Sequence, residues 1–195
     1  MSVTPATAAS DSAAADISRA TIEAAATRIA PFIIETPLIE SPRLNDKLGI
    51  RLLVKAECLQ HTGSFKLRGA SNAVWSLDDS VKHVVAFSSG NHAQGVARAA
   101  ASRGLQATIV MPKDSPAGKI EGTKAYGGTV ILYDRYTESR EEIGADLATR
   151  KQAHLIKPFD DFRVIAGQGT VGLEIATQAA AKNLTPDAIM CCCGG

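Results

Sequence analysis

Gly63-Ser64-Phe65-Lys66-Leu67-Arg68-Gly69-Ala70 sets one lysine among apolar neighbours, after a β-like run at 51–56 and at the start of a helix-like one. Buried there, Lys66 would be pushed toward its neutral amine, because desolvation penalises the ammonium. A neutral lysine amine is what condenses with an aldehyde cofactor. Taken alone, the same run also fits a solvated lysine at a helix start. The rest of the chain has to separate the two readings.

Outward from this run, strands and helices alternate. Ser64 is the expected N-cap of a helix reaching about residue 77. Upstream, Ile17, Ile22, Ala25, Ala26 and Ile29 share a helical face, with Asp16 or Ser18 as cap and Pro31 as a limit. Thr36-Pro37-Leu38 is extended by the pre-proline rule. Downstream, strands are expected at 81–87, 107–111, 129–133, 153–156 and 188–193. Helices are expected at 91–103, 116–125 and 138–151, and one capped by Thr170 runs to about 182. That rhythm predicts an α/β fold around a mostly parallel sheet. The last apolar strand runs into Gly194-Gly195 and stops. A buried parallel strand needs cover on both faces, so the sequence reads as the N-terminal portion of something longer.

Composition narrows the function. A chain of 195 residues can bury a core of one or two domains. Net charge +1 gives no electrostatic case for nucleic acid or membrane. Aromatic content of 5% argues against a base-stacking surface. No apolar run reaches the roughly 20 residues that span a bilayer. Residues 1–16 are rich in Ala, Ser and Thr, without the features of a secretory signal. They read as a disordered tail, and a cytoplasmic location is the default. Cys191, Cys192 and Cys193 would alternate faces on a strand and converge poorly on a metal. They read as buried, reduced strand residues; Cys58 stands alone, and no metal is expected.

A second motif, Phe87-Ser88-Ser89-Gly90-Asn91-His92-Ala93-Gln94-Gly95, falls where a strand ends and a helix begins. In open α/β sheets ligands bind at that edge. Two hydroxyls, a glycine and free helix-start N–H groups suit a carboxylate or phosphate. A capped helix with a polar first turn is the plainer alternative, with His92 as a structural histidine.

Together the motifs are far more specific. The Lys66 run followed by Ser88-Ser89-Gly90-Asn91-His92 resembles the fold-type II pyridoxal-phosphate enzymes, in the threonine/serine dehydratase and serine racemase branch. Thr36-Pro37-Leu38, Lys55-Ala56-Glu57, Val110-Met111-Pro112 and Gly167-Gln168-Gly169-Thr170 support the likeness, and Cys193-Gly194-Gly195 looks like the start of that family's phosphate loop. The resemblance implies a tryptophan-synthase-β-like three-layer fold, incomplete at its C-terminus. It implies a large domain from 17–81 and 160–195 with a small domain at 82–159.

The resemblance also implies roles. Lys66 would hold pyridoxal 5′-phosphate as an imine and act as acid and base. Phe65 would lie against the pyridine ring, and Asn91 would bond the cofactor's 3′-oxygen. Ser88, Ser89, Gly90, Asn91 and His92 would cradle an amino-acid carboxylate, with Ser89 matching the opposite-face acid/base of the racemases. Gly194 and Gly195 would meet the phosphate. Arg68 belongs to the motif's structural framework. The expected activity is conversion of L-threonine and L-serine to 2-oxo acids and ammonia, in a homo-oligomer. Serine racemase and 3-hydroxyaspartate dehydratase are the near rivals. An inactive fragment or anion-binding module is the rival of another class.

Overall fold

The computed structural model describes residues 17–192. Helix α1, Arg19–Ile29, starts at Ser18, whose hydroxyl accepts from the Thr21 N–H while the Thr21 hydroxyl accepts from the Ser18 N–H. Pro31 lies in the 3-10 turn Ala30–Phe32 that ends it. Strands β1, Leu38–Glu40, and β2, Leu53–Lys55, pair antiparallel around the short helix α2, Pro42–Leu48. Helix α3, Lys66–Trp75, follows.

Five further elements then alternate: β3 His83–Phe87, α4 Asn91–Ser102, β4 Gln106–Pro112, α5 Ala117–Ala125 and β5 Gly128–Tyr133. Helix α6, Arg140–Arg150, strand β6, His154–Ile156, and helix α7, Phe162–Ala181, complete the order. These four strands form one parallel sheet in the order β5-β4-β3-β6. Its register pairs Val85 with Thr108 and Leu155, and Ile109 with Val130.

Alternation along β3 explains why both sheet faces are covered. Val84 and Ala86 enter a core with Ala70 and Val74 of α3, Val96 and Ala100 of α4, and Val164 of α7. Val85 and Phe87 point the other way, against Tyr133 of β5 and Leu147 of α6. Among the described residues no helix is long and apolar enough to cross a membrane.

The α/β fold and parallel sheet agree with the sequence reading, and three local expectations fail. Ser64 does not cap α3: Phe65 occupies the N-cap with αR geometry, and the buried Ser64 hydroxyl has no partner. Thr170 caps nothing; α7 begins eight residues earlier at Phe162, under Asp161, whose carboxylate accepts from the Arg163 and Val164 N–H groups. Gly167 and Gly169 stay helical because tertiary packing outweighs their low propensity. Residues 188–192 form no strand, and Cys191 and Cys192 are exposed rather than buried. No described strand lies beside them to complete a ladder, so Ile189 and Met190 stay largely in solvent. The tail 1–16, Cys193, Gly194 and Gly195 lie outside the described residues.

A glycine pair sets the contact between α3 and α7. A Cβ at Gly167 would come within 2.6 Å of the Arg68 carbonyl oxygen and of Gly69 Cα. A Cβ at Gly69 would stand 2.8 Å from the Val164 carbonyl oxygen. Asn72 closes the contact by donating from Nδ2 to the Arg163 carbonyl at 2.7 Å. Gly167→Ala is therefore expected to force the helices apart and destabilise the protein by about 3 kcal/mol, measured as a lower denaturant midpoint.

Candidate active site

Lys66 opens α3 just after Gly63, whose φ of +70° is the left-handed geometry glycine tolerates. Its ammonium sits 3.4 Å from the Pro158 carbonyl oxygen, in the loop after β6, and 5.2 Å from the centre of the Phe65 ring. Burial pushes the Lys66 amine below the usual lysine range. The hydroxyls of Thr62 and Ser64, just before it, are buried without partners.

The β3–α4 turn lies at the same edge of the sheet. Ser88 continues the ladder by donating from its N–H to the Val110 carbonyl, and its hydroxyl accepts from the Gly90 N–H at 3.2 Å. Gly90 is the N-cap of α4 and offers no side chain, so the first turn from Asn91 keeps its N–H groups open. Ser89 is exposed beside them. Gly95, one turn on, brings α4 against α3: a Cβ there would lie 3.2 Å from the Lys66 carbonyl oxygen. That close approach joins the lysine and the open helix start in one site. Among the described residues no three His, Cys, Asp or Glu side chains gather as a metal site.

His92 turns inward. It is 2% exposed, and its Nε2 lies 3.5 Å from the Ile156 carbonyl oxygen. A carbonyl only accepts, so Nε2 carries the proton and Nδ1 is left a buried acceptor without a partner. Burial pushes the imidazole down to about 4; the Ile156 carbonyl opposes this and the Lys66 charge adds to it. Only the His92 backbone N–H remains on the ligand side of the turn.

Beneath Lys66, Arg68 is fully buried and holds three segments together. It reaches both Glu57 carboxylate oxygens, at 2.8 and 2.9 Å, and both Glu174 oxygens, at 2.6 and 2.8 Å. It also bonds the Thr170 hydroxyl and the Ile34 carbonyl, both at 3.3 Å. Lys55 joins through Glu174, Gln178 and the Thr36 carbonyl. Burial opposes the Arg68 charge, but the hydrogen bonds and charges of Glu57 and Glu174 overcome it and raise its pKa. Burial likewise works against ionised Glu174, yet Arg68 and Lys55 hold it below the usual carboxylate range.

Lys66, Phe65, Ser88, Ser89, Gly90, Asn91 and His92 are thus brought to one edge of the sheet. Two contacts escaped the sequence reading. Glu174, the carboxylate that completes the Arg68 clamp, lies over a hundred residues away in α7. Lys119, in the first turn of α5, donates to Asn91 Oδ1 at 2.5 Å. Its signal was topological: a helix start after a parallel strand lies at the same edge as its neighbours.

A sequence model of the family described as pyridoxal-phosphate dependent enzyme matches residues 29–195. The chain is similar to the L-threo-3-hydroxyaspartate ammonia-lyase of Saccharomyces cerevisiae, 49% identical over 149 residues, or 75% of this chain and 46% of that protein. A crystal structure of threonine deaminase from T.th. superposes with TM-score 0.81 at 48% identity, covering 87% of this chain and 54% of the other. Maize serine racemase superposes with TM-score 0.80 at 44% identity, covering 83% and 50%. The chain spans about half the length of the curated relatives it matches.

Two outcomes are expected from the buried groups. Arg68→Met leaves Glu57 and Glu174 without their shared partner and should cost about 3–5 kcal/mol in denaturant unfolding. His92 titrates near its ordinary value of about 6.5 when unfolded but only near 4 when folded. Between those values the unfolded chain binds a proton that the folded one does not, so stability falls as pH is lowered through that window. His92→Asn should flatten that segment of a stability–pH curve relative to the parent protein.

Proposed function

The chain belongs to the pyridoxal-phosphate-dependent enzyme family, and from that premise we propose that the whole protein dehydrates and deaminates L-threonine or L-serine, with Lys66 as its cofactor lysine. One observation carries the reading: a partly buried lysine amine and an uncapped helix start share the carboxyl edge of β3.

The donor set fits the cofactor. A lysine shifted toward its neutral form suits an aldehyde, and the residues just before it, Thr62 and Ser64, carry buried, unpartnered hydroxyls. Phe65, beside the amine, offers a ring face to the pyridine, and Asn91 offers its amide to the 3′-oxygen. Gly194 and Gly195 would take the phosphate. When bound, pyridoxal phosphate supplies an electron sink for the substrate's α-carbon.

The chain's own residues do the rest. The open N–H groups of the α4 first turn, with the hydroxyls of Ser88 and Ser89, hold the substrate carboxylate through fixed donors. A carboxylate pinned there turns the Cα–H toward Lys66 Nζ, which accepts the proton. The β-hydroxyl leaves as water, and hydrolysis gives a 2-oxo acid and ammonia. His92 stays neutral, so it places no second cation against the amine that has to accept a proton. Residues 82–159 would act as a small domain that closes on the larger one and expels water. The assembly would be a homo-oligomer in the cytoplasm.

The relatives' names keep three reactions in view: dehydration of hydroxyaspartate, dehydration of threonine or serine, and racemisation of serine, the last using Ser89 on the opposite face. The full-length protein assayed on L-threonine, L-serine, D-serine and 3-hydroxyaspartate separates them. Our reading expects 2-oxo acid and ammonia fastest from L-threonine or L-serine. Interconversion of the serine enantiomers without 2-oxo acid, or turnover of 3-hydroxyaspartate alone, would overturn it. Lys66→Ala should lower turnover at least about 10³-fold and abolish the cofactor adduct that borohydride traps on the Lys66 peptide.

A further inference from the structure

Neither motif contains Lys119, yet its ammonium reaches the side chain at the centre of the second one, 2.5 Å from Asn91 Oδ1. The geometry points to Lys119 as a positioning residue that locks the Asn91 amide with its NH2 free for the cofactor oxygen. This rests on the proposed contact between Asn91 and the 3′-oxygen, and adds what makes that contact one-sided.

The chemistry is simple. An asparagine amide presents an acceptor on one side and two donors on the other, and in solvent it can turn either way. Turned wrongly, it would aim a carbonyl oxygen at an electron-rich oxygen of the ligand. A lysine ammonium has three donors and no acceptor. Beside Lys119, the amide must offer Oδ1, which leaves the Nδ2 hydrogens for a ligand. The ammonium also polarises the amide, strengthening Nδ2–H as a donor.

The placement of Lys119 is built into the fold. Helices α4 and α5 follow adjacent parallel strands and run in the same direction. They touch where Gln94 lies over Gly122, a contact so close that a Cβ at Gly122 would stand 2.1 Å from Gln94 Nε2. Three residues earlier on each helix come Asn91 and Lys119, so the same packing brings that pair together. The Lys119 stem runs past Gly90, where an added Cβ would lie 4.0 Å from Lys119 Cδ. Its backbone is fixed at both ends: the N–H donates to the Pro116 carbonyl at 2.8 Å, and its own carbonyl accepts from the Thr123 hydroxyl at 2.8 Å.

The test titrates the full-length apoprotein with pyridoxal phosphate and reads the dissociation constant and the visible absorption maximum. Lys119→Met should weaken binding roughly tenfold, as loss of a charge-assisted contact does, and shift the absorption maximum in the same direction as Asn91→Ala. The double variant should bind no more weakly than Asn91→Ala alone, because both changes remove one unit. Lys119→Arg, still a pure donor, should restore parental values. Lys119→Gln, whose amide can face either Asn91 group, should not, and it replaces the Met variant if that one fails to fold by circular dichroism. Unchanged binding and spectrum in Lys119→Met, or additive penalties in the double variant, overturn the inference. If Asn91→Ala itself has no effect, the Asn91 contact is wrong and the inference falls with it. An effect of Asn91→Ala without one of Lys119→Met overturns the role of Lys119 alone.

Discussion

The buried guanidinium of Arg68 is the constraint on which the rest of the site depends. It sits two residues after Lys66 on the same helix and is tied to Glu57 before that helix and Glu174 far beyond it. Removing a guanidinium from water costs several kcal/mol unless its donors are met. Here all three of its nitrogens have partners, so α3 can be placed only where both carboxylates reach it. The glycine contact between Gly69 and Gly167 then sets the distance of α7. Lys66 inherits its position from these neighbours.

Burial keeps the histidine of the site uncharged and weakens the hold of Lys66 on its proton. His92, the histidine that feels the Lys66 charge, is kept neutral by burial. Lys66 is itself biased toward the neutral amine by the same cause. Positive character remains in the Lys119 ammonium on Asn91 and in the open N–H groups at the start of α4. An amine biased toward its proton-accepting form, beside donors that favour an anion, suits the chemistry proposed for an amino-acid substrate.

Parallel topology gathers these parts. The helices after β3 and β4 both begin at the carboxyl edge of the sheet, so Asn91 and Lys119 become neighbours although they lie on different βα units. The loop after β6 reaches the same edge and supplies the Pro158 carbonyl to Lys66. No local pattern in any one segment contains these contacts.

Much of this was legible in the sequence. The strand–helix rhythm, the Lys66 run and the serine–asparagine turn identify the fold and the site-forming segments, because periodicity and helix-start chemistry are local. Where local rules competed with packing, they lost. Ser64 looks like a cap, but the turn before α3 places Phe65 there. Thr170 looks like a helix start, but Asp161 begins α7 and glycines that would break an isolated helix are held by contact with α3. The run 188–192 is apolar enough for a strand, yet a strand exists only beside a partner. Sequence alone determined which residues could do the chemistry. Tertiary structure decided which of them meet, how deeply Lys66 and His92 are buried, and that Glu57, Glu174 and Lys119 hold them, because burial and long-range pairing are properties of the folded chain.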